Sequence, residues 1–147
     1  MSLRNSKLSH REAEILSKTT WASLWKLDLS NNCIGDEGAA SLGLNTSWTK
    51  LGVLILNHNS ITEFGAEGLG ANTAWMSLKT IDLSSNSIGD EGAKALSRNI
   101  LWKKLASLNL EENSVGKEGV AALKMRWHSL LIKENHAALR MIRVRIK

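Results

Sequence analysis

The sequence predicts an α/β solenoid, a short horseshoe arc with a parallel sheet on its concave face and short helices on its convex face. Three observations carry that expectation. Seven offsets recur every 27 residues through four copies between Leu24 and Lys124, without an insertion. Each copy opens on LxxLxL, whose leucines alternate as strand residues do. An asparagine then precedes a stretch rich in glycine and alanine that reads as a short helix. Units with a period of roughly 20 to 50 residues cannot bury an apolar face alone, so they stack and share one core.

Leu24, Leu51, Leu78 and Leu105 open the units, followed at fixed offsets by Leu27, Leu54, Ile81 and Leu108, then by Leu29, Leu56, Leu83 and Leu110. On a strand these point inward and the residues between them outward. Asn32, Asn59, Asn86 and Asn113 end the strands. Stacked on one another, their side chains can bond backbone groups that the turning chain leaves unpaired, which makes them structural. Gly35-Asp36-Glu37 and Gly89-Asp90-Glu91 read as helix entries, because glycine permits the bend and carboxylates suit the positive end of a helix dipole. Helices are expected near Glu37 to Leu44 and at its three counterparts. Gly38, Gly65, Gly92 and Gly119 lie inside them, where glycine costs about 1 kcal/mol relative to alanine. Close packing of helix on strand is the expected reason. Trp21, Trp48, Trp75 and Trp102 precede each opening leucine by three residues, where an indole covers the end of the core better than it serves a ligand. Trp25 and Trp127 fall outside that row.

Three regions follow: a half-repeat cap over 1–23, four 27-residue repeats over 24–124, and an atypical basic cap over 125–147, together one domain. In the first region Asn5 matches the asparagine offset, Ile15 the helix leucine and Trp21 the tryptophan, but no LxxLxL precedes them. Leu8 to Ser17 is therefore expected as a helix without its strand, leaving the strand around Trp25 to Ser30 as an exposed edge open to self-association. In the last region Leu139, Ile142 and Val144 reproduce LxxLxL, and Ile142 to Lys147 alternates apolar with basic. A fifth strand is expected there, in a unit of 34 residues whose extra seven extend a helix through Arg126 to His136. A single amphipathic helix leaving the solenoid is the alternative.

The unit LxxLxLxxNxIxxxGxxxL resembles the leucine-rich repeat in its ribonuclease-inhibitor-like form, over roughly two thirds of the chain. That resemblance implies a horseshoe that binds a partner polypeptide on its concave face. Similar repeats occur in immune receptors, cytoskeletal regulators and bacterial effectors. The IGDEGA run also resembles GALA-type effector repeats, although their period is shorter and no F-box-like segment is recognisable. A structural repeat fragment or effector without a ligand of its own is a further reading.

With 147 residues and a net charge of +5 the chain invites a nucleic-acid reading until the charge is located. Residues 1–124 hold 13 Lys/Arg and 13 Asp/Glu, whereas 125–147 hold six bases against Glu134 alone. Excess confined to one end argues against a basic stripe along a binding face, though it leaves binding of RNA or an anionic membrane by the C-terminal segment as an alternative function. One cysteine, Cys33, allows no disulfide framework within the chain. No secretory-type apolar core begins the chain and no 18 apolar residues run together, so no transmembrane segment is expected. The expected location is cytoplasmic, with a secreted effector as the other option.

No chemistry emerges from the polar residues. His10, His58, His128 and His136 lack metal-ligand spacing, so no metal or other cofactor is expected. Cys33 occupies the offset of Ser60, Ser87 and Ser114 and has no base placed beside it by the repeat. The protein is not expected to be an enzyme. What varies from copy to copy is the outward strand face: Asp28, Ile55, Asp82 and Asn109, continued by Arg143; then Ser30, Asn57, Ser84 and Glu111, continued by Arg145; and beside them His58 and Glu112. A protein partner is expected to dock there, on polar side chains held by rigid strands.

Overall fold

In the computed structural model residues 1–133 and 143–145 are described. Helices and strands alternate along them: α1 (His10–Ser17), β1 (Lys26–Asp28), α2 (Gly35–Gly43), β2 (Val53–Ile55), α3 (Glu63–Gly70), β3 (Thr80–Asp82), α4 (Gly89–Ser97), β4 (Ser107–Asn109), α5 (Lys117–Lys133) and β5 (Arg143–Arg145). The five strands form one parallel sheet in sequence order, and each helix packs on the next. From β1 to β4 the register is the 27-residue period itself, Leu27 beside Leu54, Ile81 and Leu108. Those four residues are fully buried, or nearly so, with Leu29, Leu56, Leu83 and Leu110. The α/β solenoid read from the sequence is the observed fold.

The asparagine ladder closes each turn. Asn59 is fully buried; its amide donates to the carbonyls of Leu29, Leu56 and Asn57, and its Oδ1 accepts from Ile34 N–H of the preceding coil. A second ladder, which the sequence reading missed, closes the other end of each helix. Asn45, Asn72 and Asn99 are buried, and each amide donates to two carbonyls of the coil before, for Asn72 those of Gly43 and Asn45, both at 2.8 Å. Each Oδ1 accepts from two N–H groups of its own loop, for Asn72 those of Ala74 and Trp75. At the next place in this ladder stands Arg126, whose Nε and Nη2 donate to Asn99 O at 3.2 and 3.1 Å. The tryptophan row stacks beside the second ladder, Trp21 on Trp48 and Trp48 on Trp75 at 6.2 and 6.3 Å, and Trp48, Trp75 and Trp102 are buried.

Several expectations change. The helix glycines are small because of the neighbouring helix and not the strand: a Cβ on Gly38 would meet Ala13 Cβ at 3.0 Å and His10 Cα at 3.1 Å, besides Ile34 of its own coil. The Asp36 and Asp90 carboxylates cap helices, but those of the following coil and not their own. Asp36 does not cap α2, which has no side-chain cap. Its carboxylate reaches the following coil and accepts from Thr62 N–H, Thr62 Oγ1 and Gly65 N–H at 2.7, 2.7 and 2.9 Å. Asp90 likewise accepts from Gly116 and Gly119 N–H.

The first coil is one residue short. Ser6 takes the place given to Asn5, as its N–H and that of Leu8 donate to Asn32 Oδ1. Leu16 packs on the core while Ile15 is 65% exposed. The edge of β1 is also covered. Met1 to Asn5 run parallel to it, with Asp28 N–H donating to Met1 O, Leu3 N–H to Asp28 O and Asn5 N–H to Ser30 O at 2.8–3.1 Å. The strand around Trp25 to Ser30 is therefore not the outer edge expected from the sequence; residues 1–5 lie outside it.

At the other end the fifth strand is present and parallel, but its register is two residues from the one expected. Arg143 lies beside Ser107, Val144 beside Leu108 and Arg145 beside Asn109, a spacing of 36 residues. Helix α5 reaches Lys133, and the remainder of the expected extension to His136 lies outside the described residues.

Candidate interaction surface on the sheet

Every strand from β1 to β4 shows the same burial: its central residue is buried and its flanking residues are half-exposed. Each coil thus offers two outward side chains, in the columns Lys26, Val53, Thr80, Ser107 and Asp28, Ile55, Asp82, Asn109. The sequence reading named only the second. The first follows from the same alternation, since the residue before the middle leucine faces outward like the one after it. The register of β5 puts Arg143 in the first column and Arg145 in the second, where the reading had set Arg143 beside Asn109 and Arg145 beside Glu111.

Apolar character is concentrated on β2. Val53 and Ile55 are half-exposed, with Lys26 and Asp28 on one side and Thr80 and Asp82 on the other. Asp28 and Asp82 also hold their own turns. Asp28 Oδ1 accepts from Ser30 N–H and Oγ at 3.1 and 2.7 Å, and Asp82 Oδ1 from Ser84 N–H and Oγ at 3.0 and 2.7 Å. Asn109 Oδ1 accepts from Glu111 N–H at 3.1 Å. For Asp28 burial works to raise the carboxyl pKa. The two Ser30 hydrogen bonds outweigh it, with Lys26 and Arg4 adding to them, and hold the group below the usual aspartate value.

Beyond the strands the candidates separate. Ser30 is buried, while Asn57, Ser84 and Glu111 are half-exposed. Asn31, His58, Ser85 and Glu112 share a left-handed backbone with φ of 54–57°, so the turn, not a ligand, sets their conformation. Glu112 is tied back by Ser85 Oγ, which donates to Oε2 at 2.5 Å.

Residues 22–43, 76–97 and 103–124 match the family model described as Leucine Rich repeat. At those three places the chain carries leucine-rich repeats. The repeat between the first two matches, which holds β2 and α3, keeps the same register and ladder bonds. No curated protein matches the chain. Among the described residues of these leucine-rich repeats no three His, Cys, Asp or Glu side chains gather as metal ligands, and Cys33 is a free, exposed thiol. No described helix is long and apolar enough to cross a membrane. What the site offers is shape and polarity: two outward columns on a hydrogen-bonded frame, apolar at β2 and flanked there by Asp28 and Asp82 in one column and by Lys26 and Thr80 in the other.

Proposed function

We propose that this protein is a protein-interaction scaffold that binds a partner polypeptide on the outward face of its sheet. Leucine-rich repeats commonly mediate protein–protein interaction. The observation that carries the reading here is the pair Val53 and Ile55, two apolar side chains turned to solvent on strands whose other outward residues are polar or charged. The flanking Asp28 and Asp82 suit a partner segment that places basic side chains around an apolar one. Rigidity supports the same reading, because both asparagine ladders fix the strands before any partner arrives and little ordering remains to oppose binding. The ribonuclease-inhibitor-like subclass belongs to this proposal as well, since it binds partners on this face.

The test compares proteins captured by the intact chain with those captured by Val53→Asp/Ile55→Arg, after both have been shown to melt at the same temperature. A partner held by the intact chain at moderate salt and lost by the variant supports the sheet face. An identical set of captured proteins overturns it.

A further inference from the structure

The loops that join each helix to the next strand, residues 18–25, 44–52, 71–79 and 98–106, contain six basic residues and no Asp or Glu. The repeats look neutral by composition, yet their charges are sorted in space. Carboxylates lie on the helices, the strands and the opposite edge, where Asp36 and Asp90 are used as caps. Lysine at a helix C-terminus is ordinarily explained by the dipole, which fades beyond the last turn. That accounts for Lys18 and Arg98, the C-caps of α1 and α4. It does not account for Lys50, Lys79, Lys103 and Lys104, which lie six or more residues past the helix ends. All four are exposed, and among the described residues none has a carboxylate partner.

The same loops carry exposed apolar side chains: Leu44, Met76, Ile100 and Trp25, the last 64% exposed. The loops are held in line by the second asparagine ladder and by Gly52 N–H donating to Trp25 O, Lys79 N–H to Gly52 O and Ala106 N–H to Lys79 O, each at 2.8 Å. Successive coils thus present this mixture at a repeat of about 4.8 Å along one edge.

We propose that this edge binds an anionic phospholipid bilayer, with Lys50, Lys79, Lys103 and Lys104 meeting the headgroup charge and Trp25, Met76 and Ile100 entering the interface. Lysines interleaved with exposed apolar side chains and a tryptophan suit the boundary between headgroups and acyl chains. A nucleic acid would be served by stacking aromatics and arginine, and the edge has one exposed aromatic and one arginine. This surface adjoins the sheet face at Trp25 and Lys79, which precede β1 and β3, but the two proposals rest on different side chains, so either can stand without the other.

The experiment is co-sedimentation of the full chain with phosphatidylcholine vesicles, with and without phosphatidylserine, read together with tryptophan emission. Binding only to the anionic vesicles, with a blue shift that Trp25→Phe reduces, is expected. Lys79→Gln/Lys104→Gln should lower the partition coefficient by about 25-fold, roughly fivefold for each charge, with thermal stability unchanged. No binding to anionic vesicles overturns the proposal. So does binding that survives this variant and is lost instead on Arg143→Gln/Arg145→Gln, which would place the contact at the C-terminal segment. Displacement from vesicles by an oligonucleotide that binds more tightly and needs the same lysines would make the ligand a nucleic acid and overturn it too.

Discussion

The coils look alike, yet the junctions between them are of two kinds that alternate. Where the N-terminal half-coil meets the β1 coil, and where the β2 coil meets the β3 coil, backbone joins backbone: Cys33 N–H donates to Leu8 O and Ser87 N–H to Ile61 O, both at 2.7 Å. The helix before each of these junctions is capped by its own hydroxyl, Ser9 for α1 and Thr62 for α3. The ladder asparagine there accepts two N–H groups, Ser6 and Leu8 for Asn32, Asn59 and Ile61 for Asn86. At the other two junctions the backbone bond runs the opposite way, Gly35 N–H to Asn59 O and Gly89 N–H to Asn113 O at 2.9 Å, and the asparagine side chain accepts one N–H, Ile34 for Asn59 and Ile88 for Asn113, at 3.2 Å. A carboxylate compensates, Asp36 or Asp90, aimed by a glycine with φ of +61° or +60° at the donors of the next coil. The structural unit is thus a pair of coils, 54 residues long. Gly-Asp-Glu recurs at that longer spacing because only alternate coils need to supply the cap.

The ladder common to both junctions should give the largest loss. Asn59→Ala leaves the buried Ile34 N–H without its acceptor and takes one of two donors from each of the Leu29, Leu56 and Asn57 carbonyls, and is expected to cost about 3 kcal/mol in urea unfolding. A next step separates the two kinds of junction. Asp36→Ala removes three charge-assisted bonds across one junction and should cost about 2 kcal/mol, whereas Ser87→Ala, at a junction of the other kind where Ser87 donates its backbone N–H to Ile61 O, should cost below about 0.5 kcal/mol. Equal losses would mean that the alternation has no energetic content. Gly65→Ala should destabilise by roughly 1–2 kcal/mol despite its better helix propensity, because its Cβ would lie 2.6 Å from Asp36 Oδ1, 2.7 Å from Ile61 Cγ2 and 3.1 Å from Ala39 Cβ. A gain in melting temperature would show that the junction is looser than its geometry.

The smallest effect is the acid response of Asp28. Its folded pKa is depressed, so its stabilising contribution is complete above the ordinary aspartate value near 3.8 and disappears as pH falls through the lower folded value. Melting curves taken down through that range should fall less steeply for Asp28→Asn than for the unaltered chain. Parallel curves would mean that the Ser30 turn does not favour the charged carboxylate.

How much of this was legible follows from what the period can and cannot encode. From β1 to β4 the strand positions and the first asparagine ladder repeat every 27 residues, so the sequence locates them to the residue. The slip in the first coil was hidden because Trp21 returns to the expected offset after one residue has been lost before it, and two adjacent polar residues, Asn5 and Ser6, fit the turn equally well. The register of β5 escaped for a different reason. An apolar residue recurs at Ile142, Val144 and Ile146, and a shift of two leaves each on the same face of a strand. Only the pairing with Leu108 selects Val144. Asp36 could not be assigned to Thr62 from spacing, because its geometry depends on how one coil is laid against the next. Of the candidate surface, Ile55 with Asp28 and Asp82 was visible as variation within the repeat, while Val53 was overlooked although the same alternation exposes it.

Arg126 shows how a repeat loses its count. Asparagine in the second ladder does two jobs at once, donating backwards to the earlier coil and accepting from the two N–H groups that must leave the helix for the chain to turn. Guanidinium keeps the first job, as its bonds to Asn99 O show, and is unable to perform the second because it has no acceptor. With nothing to receive them, the next N–H groups stay in the helix, and α5 runs 17 residues where its predecessors run eight or nine. The acceptor is lost at the place where the 27-residue spacing gives way to the 36-residue spacing that follows it.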